Sequence, residues 1–325
     1  MTHALQELAL LASRHYGIPV SEERMTPIVQ GASGRTIVRI AITDNESIMG
    51  ISWTNNRPDN DAFVGVARQL AKAGVNVPDI IDYLPSGQGC GMALTKDLGD
   101  INLLSFAGAP AERKKEYYTK ALQQLHLLHQ APISIPLQPP FDESLYRWEQ
   151  EYFAEYFIQG VLKCDTTHFL NHPACRQLAC ELATLPRKPL HRDFQSQNIH
   201  LVHEEAWLID FQGMRYGLPE YDLASLLYDP YAKLNQQERE QLIVEWENIE
   251  GSPLNRELFI KCALQRLMQA TGAYAKLGII GTNKWYRSHL PTAIQSLIEL
   301  TPTSSLESAL LPILESAPAS LPPCS

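Results

Sequence analysis

The sequence lacks three features that would each assign the protein to a special class. No apolar run approaches the roughly 20 residues that a membrane-spanning helix needs. Lys and Arg number 27 against 36 Asp and Glu, and the resulting net charge of −9 argues against a nucleic-acid partner. The six cysteines show no paired spacing, which favours free thiols in a reducing compartment over a disulfide framework. We therefore expect neither a membrane partner nor a nucleic-acid partner.

The first residues also lack the pattern of a secretory signal. Their apolar stretch contains Glu7, and no Lys or Arg precedes it. Together with the cysteine pattern, this predicts a cytoplasmic protein. The chain has 325 residues, of which 45% are hydrophobic and 19% charged, so it is long enough for two subdomains with a substantial core.

Three oxygen-bearing side chains stand in an informative order between His191 and Asp222. Asp193 and Asn198 belong to the segment HRDFQSQN, and Asp210 follows the apolar run AWLI. Phosphoryl transfer from a nucleotide needs a carboxylate that accepts the hydroxyl proton and oxygen ligands that hold Mg²⁺. Asp193 is therefore the candidate base, and Asn198 and Asp210 are the candidate metal ligands.

Two short runs between those metal ligands predict a β-hairpin. IHLV at 199–202 and AWLI at 206–209 are rich in apolar and β-branched residues, and a polar Glu204-Glu205 pair separates them. A turn near Glu204 would bring Asn198 within about one residue of facing Asp210, because paired strands lie roughly 5 Å apart. Taken singly, the three site residues could be a turn residue, a strand-edge residue and a helix cap. The hairpin between them favours a joint site.

The patterns along the chain predict an α+β protein with two lobes. A small N-terminal lobe, 1–95, would combine a sheet with one crossing helix at 61–73 and a further helix at the start of the chain. A connecting hinge would lie at 96–100, and a larger, mainly helical lobe would follow at 101–325. The strands of the small lobe are predicted at 36–42, 47–53, 79–84 and 91–98.

The motifs resemble those of a known superfamily. HRDFQSQN and IDFQ are similar to the catalytic and metal-binding motifs of the aminoglycoside phosphotransferase and choline kinase-like superfamily, whose members are relatives of protein kinases. The resemblance is closest to the branch of anomeric N-acetylmuramate/N-acetylglucosamine kinases. Supporting segments are VARQLAKAGVNVPDIIDY (66–83), KDLGD (96–100), WEQEYF (148–153) and YGLPEYDLASLLYD (216–229). The resemblance implies a bilobal kinase-like fold and an ATP- and Mg²⁺-dependent transfer of the γ-phosphoryl group to a sugar hydroxyl, with the anomeric one expected.

The resemblance also places the nucleotide between the lobes. The backbone of the hinge, which includes Asp97, would meet the adenine. The loop that contains Gly31, Ser33 and Gly34 could cover the phosphates with backbone N–H groups. Two glycines in a loop fit a plain turn as well, and the position of this loop before a strand favours the phosphate cradle.

One part of the kinase pattern is missing. Protein kinases hold the phosphates with a strand lysine that pairs with a helix glutamate. This chain has no lysine before Lys72, and its predicted crossing helix has no glutamate. The resembled sugar kinase branch also lacks that lysine. Arg35 and Arg39 are the candidates to replace it, since a guanidinium binds phosphate as a planar fork, although either could be a surface charge.

The acceptor pocket is the least determined part of the site. Gln195 and Gln212 flank the base and the metal carboxylate, and Glu149 and Asp229 are further candidates; loop polarity or a solvated helix face explains the same residues. Asp222 is interpreted as a helix cap or a brace for the catalytic loop. Two alternatives stay open: an aminoglycoside or choline-like amine as acceptor, which would want carboxylates around it, and a nucleotide-binding scaffold without catalysis.

Overall fold

The computed structural model describes residues 3–28, 34–54, 58–86 and 90–316. A five-stranded antiparallel sheet occupies the part before the predicted hinge, with the strand order β1-β2-β3-β5-β4. The sequence patterns predict four of these strands, and β1 escapes them because three residues ending in proline carry little periodic signal. The strands are Met25–Pro27 (β1), Thr36–Ala41 (β2), Ser47–Thr54 (β3), Ile80–Leu84 (β4) and Cys90–Lys96 (β5).

Helices cover both faces of this sheet. Helix α1 (His3–Tyr16) packs on one face, where Leu8 shares a core with Ile48 of β3. Helix α2 (Phe63–Lys72) covers the other face, where Trp53 of the same strand joins the main core. Side chains of a strand alternate between its two faces, so β3 is buried on both sides and forms the centre of the small lobe.

The remainder of the chain is mainly helical. The helix Arg256–Tyr274 (α9) lies at its centre. It packs against Glu143–Phe153 (α4), Pro219–Leu227 (α7) and Lys284–Leu300 (α10), so it is buried on nearly all sides. Over the described ranges, no helix has the length and apolar composition that a membrane span requires. The helices are Ala111–Gln130 (α3), Glu143–Phe153 (α4), Thr167–Asn171 (α5), Pro173–Thr184 (α6), Pro219–Leu227 (α7), Gln236–Glu250 (α8), Arg256–Tyr274 (α9), Lys284–Leu300 (α10) and Glu307–Glu315 (α11).

Four short strands are set into the helical lobe. Ile199–Val202 (β7) and Glu205–Leu208 (β8) form the predicted hairpin, which is confirmed. Lys188–Leu190 (β6) pairs with Arg215–Gly217 (β9), and the patterns do not predict this pair, because three-residue strands show no alternation. The pair brings the entry to the catalytic loop beside the chain that follows Asp210. The α+β class is confirmed, whereas the lobe boundaries stay a prediction.

A close contact in the small sheet gives a test of this packing. A Cβ added at Gly91 of β5 would lie 2.3–2.6 Å from ring atoms of Trp53, whose Nε1 donates to Asp61 at 2.8 Å. Because the ring is held, we expect Gly91→Ala to lower the free energy of unfolding by about 1–3 kcal/mol. Gly108→Ala is the control, since its Cβ would meet nothing within 4 Å. Urea unfolding measures both, and equal stability of the two variants would contradict the described packing.

Candidate active site

The register of the hairpin fixes the two predicted metal ligands. Ile199 pairs with Leu208, and beyond that pair the backbone N–H of Ile209 donates to the carbonyl of Asn198 at 3.0 Å. Asp210 follows immediately, so it lies one residue out of register from Asn198 at the open end of the hairpin. The backbones of the two residues therefore lie at the same end of the hairpin, and a metal ion shared by their side chains stays a prediction.

The segment after Asp210 is anchored to the small lobe. Asp210 has a φ of 63°, in the left-handed region, and the chain then forms a short turn, Phe211–Gly213. The ring of Phe211 stacks on Phe63 of α2, with the centroids 5.3 Å apart and the planes 6° from parallel. A buried aromatic contact thus connects the segment after Asp210 to the crossing helix.

Asn198 also holds the loop that carries the candidate base. Its Nδ2 donates to the backbone carbonyl of Asp193 at 2.9 Å, and the backbone N–H of Gln195 donates to the same carbonyl at 2.9 Å. The donor side of the Asn198 amide is therefore used within the loop. Its Oδ1 is the atom left to meet a cation.

Asp193 keeps an accessible and charged side chain. The Asp193 side chain is 40% exposed, and its Oδ1 lies 3.6 Å from Nη2 of Arg266. Burial raises the pKa of Asp193, but the positive charges of Arg192 and Arg266 lower it more, so the pKa lies below its usual range. The group is therefore an ionised carboxylate that can accept a hydrogen bond from a hydroxyl.

Asp222 braces the first half of the catalytic loop, the segment 191–198 that carries Asp193. It is fully buried, and its carboxylate accepts the backbone N–H of His191 at 2.7 Å and that of Arg192 at 2.8 Å, with His129 Nε2 at 3.2 Å. Arg192 has a φ of 77°, which is unfavourable for a residue with a side chain. These hydrogen bonds hold that conformation. The prediction of a brace for the loop is confirmed.

Asp229 braces the second half of the loop. Its Oδ2 accepts both the backbone N–H of Ser196 at 2.8 Å and the Ser196 hydroxyl at 2.5 Å, and its Oδ1 accepts the N–H of Tyr231 at 2.9 Å. The residue is 3% exposed, and burial raises its pKa. Both oxygens thus accept hydrogen bonds inside the protein, and an acceptor contact by Asp229 stays a prediction.

Glu149 is also held by donors inside the protein. It is 1% exposed; Tyr221 Oη donates to its Oε1 at 2.7 Å, and Gln265 Nε2 donates to its Oε2 at 2.9 Å. Burial raises the pKa of Glu149. Helix α4 turns this residue into the core against α7 and α9, and an acceptor contact by Glu149 stays a prediction.

The two glutamines differ in their surroundings. Gln212 accepts from Arg35 Nη1 at 2.9 Å and donates to Asp210 Oδ1 at 3.0 Å, so it is held beside the Asp210 carboxylate. Gln195 is buried next to the base. An acceptor contact by either one stays a prediction.

Arg35 reaches the predicted metal site directly. Its Nη2 donates to Oδ1 of Asp210, and the guanidinium side chain is 6% exposed. Residues 35 and 210 are far apart in the sequence, so no local pattern indicates this ion pair. A cation therefore lies against one oxygen of the carboxylate that we predict to hold Mg²⁺.

Arg39 is paired elsewhere, at the predicted hinge. It donates to Asp97 through Nε at 2.6 Å and to Asp100 through Nη2 at 2.7 Å. Burial raises the pKa of Asp97, but Arg39, the Ser47 hydroxyl and the Gly99 N–H lower it below its usual range. The side chains of Arg39 and Asp97 thus bind each other, which connects β2 to the segment after β5.

The predicted phosphate loop is only partly described. Gly31 and Ser33 lie outside the described residues. Gly34 has a φ of 67°, a left-handed conformation that favours glycine. Three arginines near the base, Arg192, Arg215 and Arg266, are absent from the predicted site. Arg192 stands inside the catalytic motif, where the sequence could have indicated it, whereas the other two come from distant β9 and α9.

The fold and this loop geometry define a kinase-like phosphotransferase. The chain belongs to the phosphotransferase enzyme family, whose model matches residues 24–255. The resemblance seen in the catalytic motifs and the prediction of an enzyme are thereby confirmed.

Curated relatives carry the name N-acetylmuramate/N-acetylglucosamine kinase. The protein from Neisseria meningitidis serogroup B is 27% identical over 300 residues, which are 86% of this chain and 86% of that protein. The protein from Pseudomonas putida is 26% identical over 225 residues, which are 67% of this chain and 64% of that protein. The match thus spans slightly less than two thirds of the Pseudomonas putida relative.

Solved structures share the fold at lower identity. An amicoumacin kinase, in complex with AMP-PNP, Ca²⁺ and Ami, has a TM-score of 0.61 at 13% identity and covers 88% of this chain and 91% of its own. A choline/ethanolamine kinase family protein from Mesorhizobium loti has a TM-score of 0.59 at 16% identity and covers 89% and 92%. The predicted bilobal kinase-like fold is confirmed.

The brace by Asp222 gives a test of the loop. Asp222→Asn removes one charged acceptor from two buried N–H groups, so we expect a loss of about 1–3 kcal/mol in the free energy of unfolding. We also expect faster hydrogen exchange at the amides of residues 191 and 192. Asp142→Asn is the control, because Asp142 caps α4 at the surface and Asn caps equally well. Unchanged exchange at 191 and 192 in Asp222→Asn would contradict the brace.

Proposed function

We propose that this protein is a small-molecule kinase that transfers the γ-phosphoryl group of ATP, with Mg²⁺, to a sugar hydroxyl. The anomeric hydroxyl of N-acetylmuramate or N-acetylglucosamine is the proposed acceptor. One observation carries the proposal: Asn198 and Asp210 lie one residue out of register at a hairpin end, and Asn198 binds the loop that exposes the Asp193 carboxylate. The names of the curated relatives support the sugar.

Asn198 and Asp210 fit a hard divalent cation. The Asn198 nitrogen donates to the Asp193 carbonyl, which leaves the amide oxygen for a cation. Among the described residues, the two donors to Asp210 both approach Oδ1, which leaves Oδ2. Mg²⁺ prefers such oxygens, so Oδ1 of Asn198 and Oδ2 of Asp210 would hold it. When bound, it neutralises the charge that develops on the transferred group.

Asp193 orients the acceptor hydroxyl and takes its proton. Its lowered pKa makes it a weak base, and positioning of the hydroxyl therefore supplies most of the rate. An anomeric hydroxyl is more acidic than an ordinary alcohol, which eases proton transfer to such a base. Asp222 and Asp229 keep the loop backbone in the geometry that this transfer needs.

Arg35 is the proposed substitute for the missing strand lysine. Its guanidinium already lies at the metal carboxylate, where the terminal phosphates would arrive, and a planar fork can bind phosphate oxygens. Arg39 and Asp97 contribute instead through the proposed hinge at 96–100, which their ion pair connects to the sheet. The loop that contains Gly31, Ser33 and Gly34 is proposed to cover the phosphates with backbone N–H groups.

An amine acceptor has less support. A site for an aminoglycoside or a choline-like amine would present carboxylates to the cation. Glu149, Asp222 and Asp229 are all buried and turned towards protein donors. A cytoplasmic location remains part of the proposal, and it accords with the free thiols of the described cysteines.

The base assignment predicts the effect of one substitution. We expect Asp193→Asn to lower kcat by at least about 100-fold, because general acid–base groups contribute on that order or more. Its melting temperature should stay near that of the wild type, since the side chain is partly exposed. Asp44→Asn, in an exposed turn, is the matched control and should keep full activity.

An ADP-release assay with a panel of amino sugars, neutral sugars and amines measures this effect. Wild-type kcat in Asp193→Asn would overturn the assignment of the base. Tight ATP binding by the wild type without turnover on any acceptor would instead favour the non-catalytic scaffold.

The metal assignment predicts a graded response to Mg²⁺. Chelation with EDTA should abolish turnover, and added Mg²⁺ should restore it. In Asn198→Ala we expect recovery only at higher Mg²⁺ concentrations, and in Asp210→Asn we expect none, because a charged ligand contributes more than a neutral amide. Asn171→Ala, on the surface, should titrate like the wild type. Identical Mg²⁺ curves for all three variants would contradict the assignment.

A further inference from the structure

Three arginines surround the Asp193 carboxylate. Arg192 precedes it in the chain, Arg266 of α9 lies 3.6 Å away, and Arg215 of β9 contributes a further positive charge. Such a concentration of guanidinium groups around one carboxylate exceeds what an ion pair requires. The hydrogen bonds of each arginine show which guanidinium group is available to bind a ligand.

Two of the three guanidinium groups have partners within the protein. Arg266 donates from Nε to the Ser225 hydroxyl at 2.9 Å and from Nη1 to Gln269 Oε1 at 2.6 Å. Arg215 donates from Nη1 to the carbonyl of Pro139 at 3.1 Å and lies over the ring of Phe141, 5.3 Å from its centroid. Both therefore have a structural role.

Arg192 differs from the other two. Across the residues that the structure describes, its guanidinium donates no hydrogen bond, although its backbone N–H is held by Asp222 at 2.8 Å. The group is partly buried, and its Nη1 lies 3.7 Å from where a Cβ on Gly213 would stand. It therefore lies between the base and the turn that follows Asp210.

The carboxylates of Asp222 and Glu149 accept no hydrogen bond from this guanidinium. Asp222 accepts two backbone N–H groups, and Glu149 accepts from Tyr221 and Gln265, as described above. A partly buried cation without a hydrogen-bonding partner is unfavourable, and an anionic ligand relieves that cost through a charge-assisted, bidentate contact.

We propose that Arg192 binds a carboxylate of the acceptor, so that the site selects an acidic sugar over a neutral or cationic one. This inference rests on the proposed kinase function. Arg192 is the residue next to the proposed base Asp193, so its guanidinium lies beside the acceptor. Arg35 instead lies at the Asp210 carboxylate, where the phosphates would bind. Arg192 is thus a specificity-determining residue.

The two proposed sugars form a matched pair for the test. N-acetylmuramate is N-acetylglucosamine with an added lactyl ether, and the lactyl group supplies one carboxylate. We expect the wild type to have the higher kcat/KM with N-acetylmuramate. In Arg192→Gln the ratio of the two kcat/KM values should fall by about 10- to 100-fold, as for the loss of a hydrogen bond to a charged group.

The ratio separates recognition from a general disturbance of the loop. A displaced base lowers turnover of both sugars equally, so it cancels in the ratio. Arg192→Lys keeps the charge and should retain part of the preference. Arg256→Gln removes an exposed arginine that pairs with Glu240, and it should leave the ratio unchanged. The methyl ester of N-acetylmuramate, tested on the wild type, removes the acceptor charge without any substitution and should react like the neutral sugar.

Each outcome has a definite meaning. An unchanged ratio in Arg192→Gln, or an ester that reacts as well as the acid, would overturn the proposal. A raised KM for ATP with an unchanged sugar ratio would identify Arg192 as a phosphate ligand instead, and would also overturn it.

Calorimetric titration of the sugars without ATP separates this proposal from the kinase function. Arg192-dependent binding of the acidic sugar without turnover would support the anion site while the kinase function fails. Turnover of both sugars with an equal ratio in wild type and variant would support the kinase function while the anion site fails.

Discussion

The register of one hairpin positions the chemistry of this protein. The hydrogen bond from the N–H of Ile209 to the carbonyl of Asn198 sets which residue follows at the open end, and that residue is Asp210. A slip of one residue would turn every side chain of β7 or β8 to the other face. The side chain of Asn198 also donates a hydrogen bond to the Asp193 carbonyl, which fixes the loop that carries Asp193 relative to the hairpin. The proposed base and the proposed metal ligands are therefore one connected unit.

Buried carboxylates hold the loop that carries Asp193 in place. Asp222 and Asp229 each accept backbone N–H groups of the catalytic loop, and Glu149 is held by side chains of α7 and α9. Burying a carboxylate is costly unless hydrogen bonds satisfy it, so such groups hold their neighbours in one arrangement. The strained backbone of Arg192 is one product of this support. These buried acidic side chains thus shape the site, and of the three arginines near Asp193 we propose only Arg192 as a ligand of the acceptor.

Local patterns predict the parts of the site that depend on neighbours in the sequence. The alternation at 199–202 and 206–209 indicates the hairpin, and the order of Asp193, Asn198 and Asp210 indicates the chemistry. The contacts of Glu149 and Asp229 could not be predicted, because a carboxylate on a helix looks the same in sequence whether it faces solvent or a buried donor. The pairing of Arg35 with Asp210 depends on how the two lobes meet, which no window of sequence contains.

A crystal structure with Mn²⁺ and a non-hydrolysable ATP analogue tests the central claim most directly, because the anomalous signal locates the ion independently of the protein density. We expect an ion bonded to Oδ1 of Asn198 and to a carboxylate oxygen of Asp210, with bonds of about 2.1 Å, as for an octahedral Mg²⁺ site. An anomalous peak that contacts only one of these side chains, or neither, would contradict the shared metal site and with it the proposed reaction.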